Sequence, residues 1–224
     1  NLYMQITLAL SYAFCGYLYV SNTYISWVDL LIYLPFVAWG FRKIVRGEKK
    51  TTFVVSLCLM IYTCFSITSF SLFIIYPILI LYAIIAVEKQ ERKRVVTDTV
   101  LALVSSVMFS LPVLLSSLAA FMVSGRRGGL FANLFNDLKA DPLYYKMSYL
   151  FTDGITLFFT AVYFFKSGVK RPIDKFLLVA GGIVLMPVIC DECCLLLNAG
   201  SYNSYALRFG FLNGFYFLFT ASLY

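Results

Sequence analysis

Histidine is absent from the 224 residues, and charged side chains make up only 13% of them. Without imidazole there is no Ser-His-Asp or Cys-His catalysis, no HExxH zinc site and no haem or copper held by histidine. Acid–base work is left to Asp, Glu, Lys, Tyr or Cys. The scarcity of charge excludes soluble architectures too. A soluble domain averages roughly 45–50% apolar and about 25% charged residues, whereas 61% of this chain is hydrophobic and 18% aromatic, too much apolar surface for a polar coat. The chain is therefore expected in a membrane. Its formal charge of +7 does not indicate nucleic acid, because most of the excess sits in short loops between apolar segments, where basic residues set membrane orientation.

What the chain does have is long uncharged or nearly uncharged stretches, at residues 3–20, 24–41, 51–67, 70–87, 99–123, 147–165, 176–197 and 205–224. Most reach the roughly 17–25 residues that a bilayer crossing requires. The expected fold is all-α, a polytopic transmembrane bundle of about eight helices. Basic clusters interrupt it at Arg42, Lys43, Arg46, Lys49 and Lys50, at Lys89, Arg92, Lys93 and Arg94, and at Lys166, Lys170, Arg171 and Lys175. An even number of segments separates each cluster from the next, so all three fit on the cytoplasmic side. The opposite connections then face outward: residues 21–23, a Ser/Thr-rich bend at 66–71, the long loop 124–146, and 198–204. In the long loop, Leu130, Phe131, Leu134, Phe135 and Leu138 share one helical face opposite Asn133, Asn136, Asp137 and Lys139, which predicts a surface-lying helix near 130–139. The chain opens at Asn1 and closes at Tyr224 within an apolar run. It is expected to be a fragment of a longer protein, one transmembrane domain over 1–224 with an N-terminal helix, a first outer loop and a C-terminal remainder lying beyond it.

An ionisable group in hydrocarbon is costly unless it faces a cavity or a partner, which makes each one a functional candidate. Asp29, Asp191, Glu192 and Arg208 lie only about 5–9 Å inside the outer ends of their segments at 1.5 Å per residue, and Asp153 starts another. Each also has a bland reading, in which it snorkels to the headgroups or, for Asp153, caps a helix. Arg126 and Arg127, between Gly125 and Gly128, suit an anionic partner at the outer surface, either a phosphate-bearing substrate or lipid headgroups. Cys190 and Cys193 have CxxC spacing but lack a second pair, and Cys15, Cys58 and Cys64 sit in apolar runs, so buried thiols are expected. Gly210 and Gly214 have the spacing of close helix packing. No motif identifies a cofactor or supports a divalent metal.

Three groups of residues carry a family resemblance. Ser11-Tyr12-Ala13 through Trp27-Val28-Asp29 to Leu34-Pro35, Leu111-Pro112 followed by Ser124-Gly125-Arg126, and Asn198-Ala199-Gly200-Ser201-Tyr202 with Leu207-Arg208-Phe209-Gly210-Phe211 together resemble the YfhO family of bacterial polytopic membrane proteins. That family is similar to GT-C glycosyltransferases. The resemblance implies transfer of a sugar from a polyprenyl-phosphate carrier to a cell-envelope glycopolymer acceptor, on the extracytoplasmic face of the bacterial cytoplasmic membrane. Such enzymes hold their main catalytic carboxylate in the first outer loop, which this chain is expected to lack, so that alone it is expected to be inactive. The resemblance then implies a supporting catalytic role for Asp29, carrier-phosphate contacts from Arg126, Arg127 and Arg208, and substrate contacts from Trp27, Asp153, Asp191 and Glu192. Two other classes remain open. A lipid-linked sugar flippase or transporter would show discontinuous helices and charges at several depths. A non-catalytic envelope-assembly scaffold would need neither Asp29 nor Arg208.

Overall fold

A computed structural model describes residues 2–14, 25–63, 65–123, 154–190, 193 and 210–223, and the regular structure among them is helical. In chain order the helices are α1 (Leu2–Ala13), α2 (Ile25–Val45), α3 (Thr51–Thr63), α4 (Phe65–Ile85), α5 (Lys89–Val123), α6 (Gly154–Ser167), α7 (Pro172–Ile189) and α8 (Gly210–Ala221). Each coincides with one of the eight apolar stretches. The surface helix expected near 130–139 lies outside the described residues.

The helices overrun the apolar stretches where charge begins. α2 continues through Arg42 and Lys43 to Val45, and α5 starts at Lys89 rather than near residue 99. Cations in the last turn of α2 favour its negative dipole end, so charge extends this helix rather than stopping it. The expected bend at 66–71 requires correction: those residues are helical, within α4. The Thr68 hydroxyl is buried and donates to the Met60 carbonyl at 2.8 Å, near the end of α3. A hydroxyl that satisfies an orphan carbonyl of the preceding helix reads, in sequence, like loop chemistry.

Among the described residues one segment, Lys89–Ser117, is long and apolar enough to cross a bilayer by length and composition, whereas Thr51–Thr63, Ser71–Ile85 and Gly154–Ser167 are apolar but shorter. Its 29 residues extend about 44 Å, past the ~30 Å hydrocarbon layer, so its charged first turns reach beyond the apolar part. Large apolar side chains stand exposed on several helices, among them Phe73, Met108, Phe109, Phe158 and Phe165.

Contacts gather into two compact units, residues 26–127 and residues 1–25 with 128–224. In the first, α3 packs on α4 and α5, and α5 packs on α4. The face that α5 buries is built of small and hydroxylated residues, Thr99, Ala102, Ser106 and Ser110. Thr99 and Ser106 donate back to the Val95 and Ala102 carbonyls at 2.7 and 2.8 Å, so these two hydroxyls enter the interior already paired, whereas the buried Ser110 hydroxyl has no partner among the described residues. α2 buries Leu30, Leu34, Val37, Phe41 and Ile44 along a single stripe and exposes Ile32, Phe36 and Trp39 on the other side. Gly40 presses α2 onto α3: a Cβ there would stand 2.5 Å from the Phe53 Cα.

In the other unit α8 is central, contacting α6, α7 and α1. Gly210 through Gly214 are buried, in keeping with close packing at these glycines. Thr160 of α6 donates to the Phe217 carbonyl at 3.1 Å, and Tyr216 of α8 donates to the Leu177 carbonyl of α7 at 3.0 Å. Tyr12 of α1 meets Phe215 edge to face, with 6.2 Å between centroids.

The packing at Gly40 yields a direct test. Gly40→Ala drives a methyl group into the α3 backbone and is expected to cost about 1–3 kcal/mol, read as a lower melting temperature in detergent. Gly182→Ala, where an added Cβ meets nothing within 4 Å, is expected to be neutral or stabilising because alanine favours helix.

Candidate functional site

Charge in the first unit is gathered where α2 ends and α5 begins. The end of α2 closes with the Gly47 amide donating to the Ile44 carbonyl at 3.0 Å and the Glu48 amide to the Lys43 carbonyl at 2.9 Å. This is a Schellman closure, and Gly47 takes the left-handed conformation it needs, with φ +76°. Arg94, one turn into α5, donates to the carbonyls of Ile44 at 3.3 Å and Val45 at 3.0 Å, capping the same end from across the unit. Its Nε donates to Glu91 at 2.6 Å, and Lys50 pairs with Asp98 at 2.5 Å. Two of the basic clusters thus share one end of this unit, as the even segment count between them requires. Lys43 lies 4.0 Å from the centre of the Trp39 ring and donates to Thr52 at 3.1 Å.

Between α3 and α5 runs a groove of about 940 Å³, with Glu48, Lys49, Lys50 and Thr51 at its charged end. Val55, Leu59, Tyr62 and Phe109 line its apolar stretch. Cys58, half-buried in its wall, donates its thiol to the Ser106 carbonyl at 3.5 Å.

The other unit holds a buried carboxylate. Asp174 is fully buried in the first turn of α7. It accepts from the Tyr163 hydroxyl at 2.5 Å and from the Arg171 backbone N–H at 2.9 Å, while the Arg171 guanidinium stands 3.5 Å away. Burial pushes this carboxyl up, but the Tyr163 and Arg171 contacts outweigh it and hold the group below its ordinary value of 3.8. Asp174 precedes the apolar stretch 176–197. Sequence reasoning did not single it out, although Arg171-Pro172-x-Asp174 carries the signal: proline in the first turn and an acid at the third helical position.

Of the residues proposed from sequence, Trp27 falls in the first turn of α2 and Asp29 follows it. Asp29 is half-buried, about 100° around the helix from the Leu30 stripe centre. Among the described residues, no ion pair reaches Asp29. Arg126, Arg127, Asp153, Asp191, Glu192 and Arg208 lie outside the described residues. Among the described residues no three Asp, Glu or Cys side chains converge as metal ligands.

Helices that expose large apolar and aromatic side chains and gather most of their charge toward their ends have the character of a helical membrane protein. The family described as bacterial membrane protein YfhO matches the chain over residues 1–224, and the chain belongs to that family. Comparison with curated proteins and with solved structures gives no match.

Two substitutions separate the contacts at the charged end. Arg94→Lys cannot serve two carbonyls in the plane of one guanidinium and is expected to cost about 1–2 kcal/mol of stability in thermal unfolding. Glu91→Gln, in a largely exposed pair, is expected to change stability by less than about 0.5 kcal/mol.

Asp174 gives a pH signature. Its folded value is depressed, so its stabilisation is complete above the ordinary 3.8 and is lost as pH falls through the lower folded value. Wild-type protein is expected to lose melting temperature below about pH 4, and Asp174→Asn to melt lower at neutral pH with a shallower acid limb.

Proposed function

We propose that this chain is part of a polytopic glycosyltransferase of the bacterial cytoplasmic membrane, which transfers a sugar from a polyprenyl-phosphate carrier to a cell-envelope glycopolymer on the extracytoplasmic face. Beyond family membership, one observation carries this reading. Asp29 stands 16 residues before Val45 on α2, about 24 Å along the axis from the charged end, half-buried in an apolar helix. A carboxylate held there costs free energy unless it serves a polar cavity or a ligand. With the basic clusters cytoplasmic, Asp29 lies toward the outer leaflet.

The chemistry asks for two kinds of group. An acceptor hydroxyl attacks the anomeric carbon as the bond from that carbon to the carrier phosphate oxygen breaks. The hydroxyl proton passes to a carboxylate, and the bonding electrons leave on the phosphate. In this reading Arg126, Arg127 and Arg208 meet the phosphate charge as it grows. Asp29 orients the acceptor in support of the main base, Trp27 stacks on a sugar face, and Asp153 with Asp191 or Glu192 binds sugar hydroxyls.

The test measures sugar transfer by the full-length protein from a panel of polyprenyl-phosphate hexoses in membrane vesicles. Arg208→Ala is expected to raise KM for the carrier about 10–100-fold, the value of one charge-assisted contact. Asp29→Asn is expected to lower kcat while leaving the melting temperature near wild type. Unchanged transfer in both variants would remove these residues from the site, and carrier movement across the bilayer without transfer would favour a flippase.

A further inference from the structure

The groove between α3 and α5 has dimensions that a membrane gives meaning to. From Thr51 at its charged end to Tyr62 is eleven residues, about 16 Å along α3, close to half of the ~30 Å hydrocarbon layer. Its charged residues are confined to one end, and Val55, Leu59, Tyr62 and Phe109 continue away from them, with the Ser105 and Tyr62 hydroxyls turned to the Leu101 and Phe109 carbonyls. A slot one leaflet deep, mostly apolar along its length and charged at its rim, has the shape of a single lipid.

The rim also selects a headgroup. Residues 42–50 carry five basic side chains and one acidic one. Arg94 is held by the end of α2, Lys50 by Asp98 and Lys43 by Trp39 and Thr52. Lys49 is exposed and makes no ion pair among the described residues, so it stands at the mouth of the groove as a cation with its charge unspent.

We propose that this groove is a binding site for an anionic phospholipid, with the headgroup phosphate at Lys49 and one acyl chain lying along α3 toward Tyr62 and Phe109. The site rests on membrane residence alone and stands whether or not the chain takes part in sugar transfer. Charge complementarity at Lys49 favours this occupant over a neighbouring apolar helix, which would offer that cation no counter-charge; the exposed Glu48 beside it leaves room for a single phosphate contact.

Photo-crosslinking tests this with the full chain in nanodiscs, using phosphatidylglycerol and phosphatidylcholine that carry an acyl-chain diazirine. Labelled residues are mapped by peptide mass spectrometry, with Phe158 and Phe165 as the reference for general lipid contact. Labelling at Val55, Leu59, Tyr62 and Phe109 is expected to favour phosphatidylglycerol about fivefold over phosphatidylcholine, the value of one lysine near an anionic headgroup. Lys49→Glu should abolish that preference. Val55→Trp, at an exposed position in the slot, should reduce groove labelling by both lipids while the reference positions keep theirs. Equal labelling by the two lipids in wild type, or a preference that survives Lys49→Glu, would overturn the proposal. So would protein-to-protein crosslinks in place of lipid adducts at these positions.

Discussion

One guanidinium fixes the charged end of the first unit. Arg94 donates to the last carbonyls of α2, reaches Glu91 on its own helix and approaches Asp98, which in turn holds Lys50 before α3. Helix ends leave carbonyls without intrahelical partners, and at the boundary of a bilayer they find water only on one side. A planar cation that serves two carbonyls at once answers that need and joins the end of α2 to the start of α5. Gly47 belongs to the same solution, since a Cβ there would stand 3.0 Å from the Arg94 Nη1.

The second unit solves an analogous problem with a different group. Asp174 ties the start of α7 to Tyr163 at the end of α6, and the intervening turn places Gly168 and Val169 at positive φ. Val169, at φ 55°, is the one described non-glycine residue in that region, where a β-branched side chain is strained. The carboxylate and its hydrogen bonds hold the two helix ends close enough for this turn to persist.

The eight described helices were legible because nothing but uncharged runs and their basic interruptions is needed to find them. Their limits were less so. Thr68 resembles a loop residue until Met60 is known to sit beneath its hydroxyl, and the first turns of α5 look like a connection until Arg94 is seen to grip α2. Partnerships across 48 residues, such as Lys50 with Asp98, follow from packing and leave no local trace. Asp29 was recognisable because a carboxylate is rare in an apolar run. Asp174, inside a basic cluster, was not, since a charge among charges carries no such surprise.

The contact between Gly40 and Phe53 makes α2 a lever with a fixed pivot. Below it, Phe41 and Ile44 are packed and the carbonyls of Ile44 and Val45 are held by Arg94, so that arm is anchored. Above it lies Pro35, which has no N–H to offer the preceding turn and leaves the helix most pliable there. The arm beyond Pro35 carries Asp29. A bend at this proline would swing the carboxylate while the charged end keeps its register, so motion at one end of α2 need not be felt at the other.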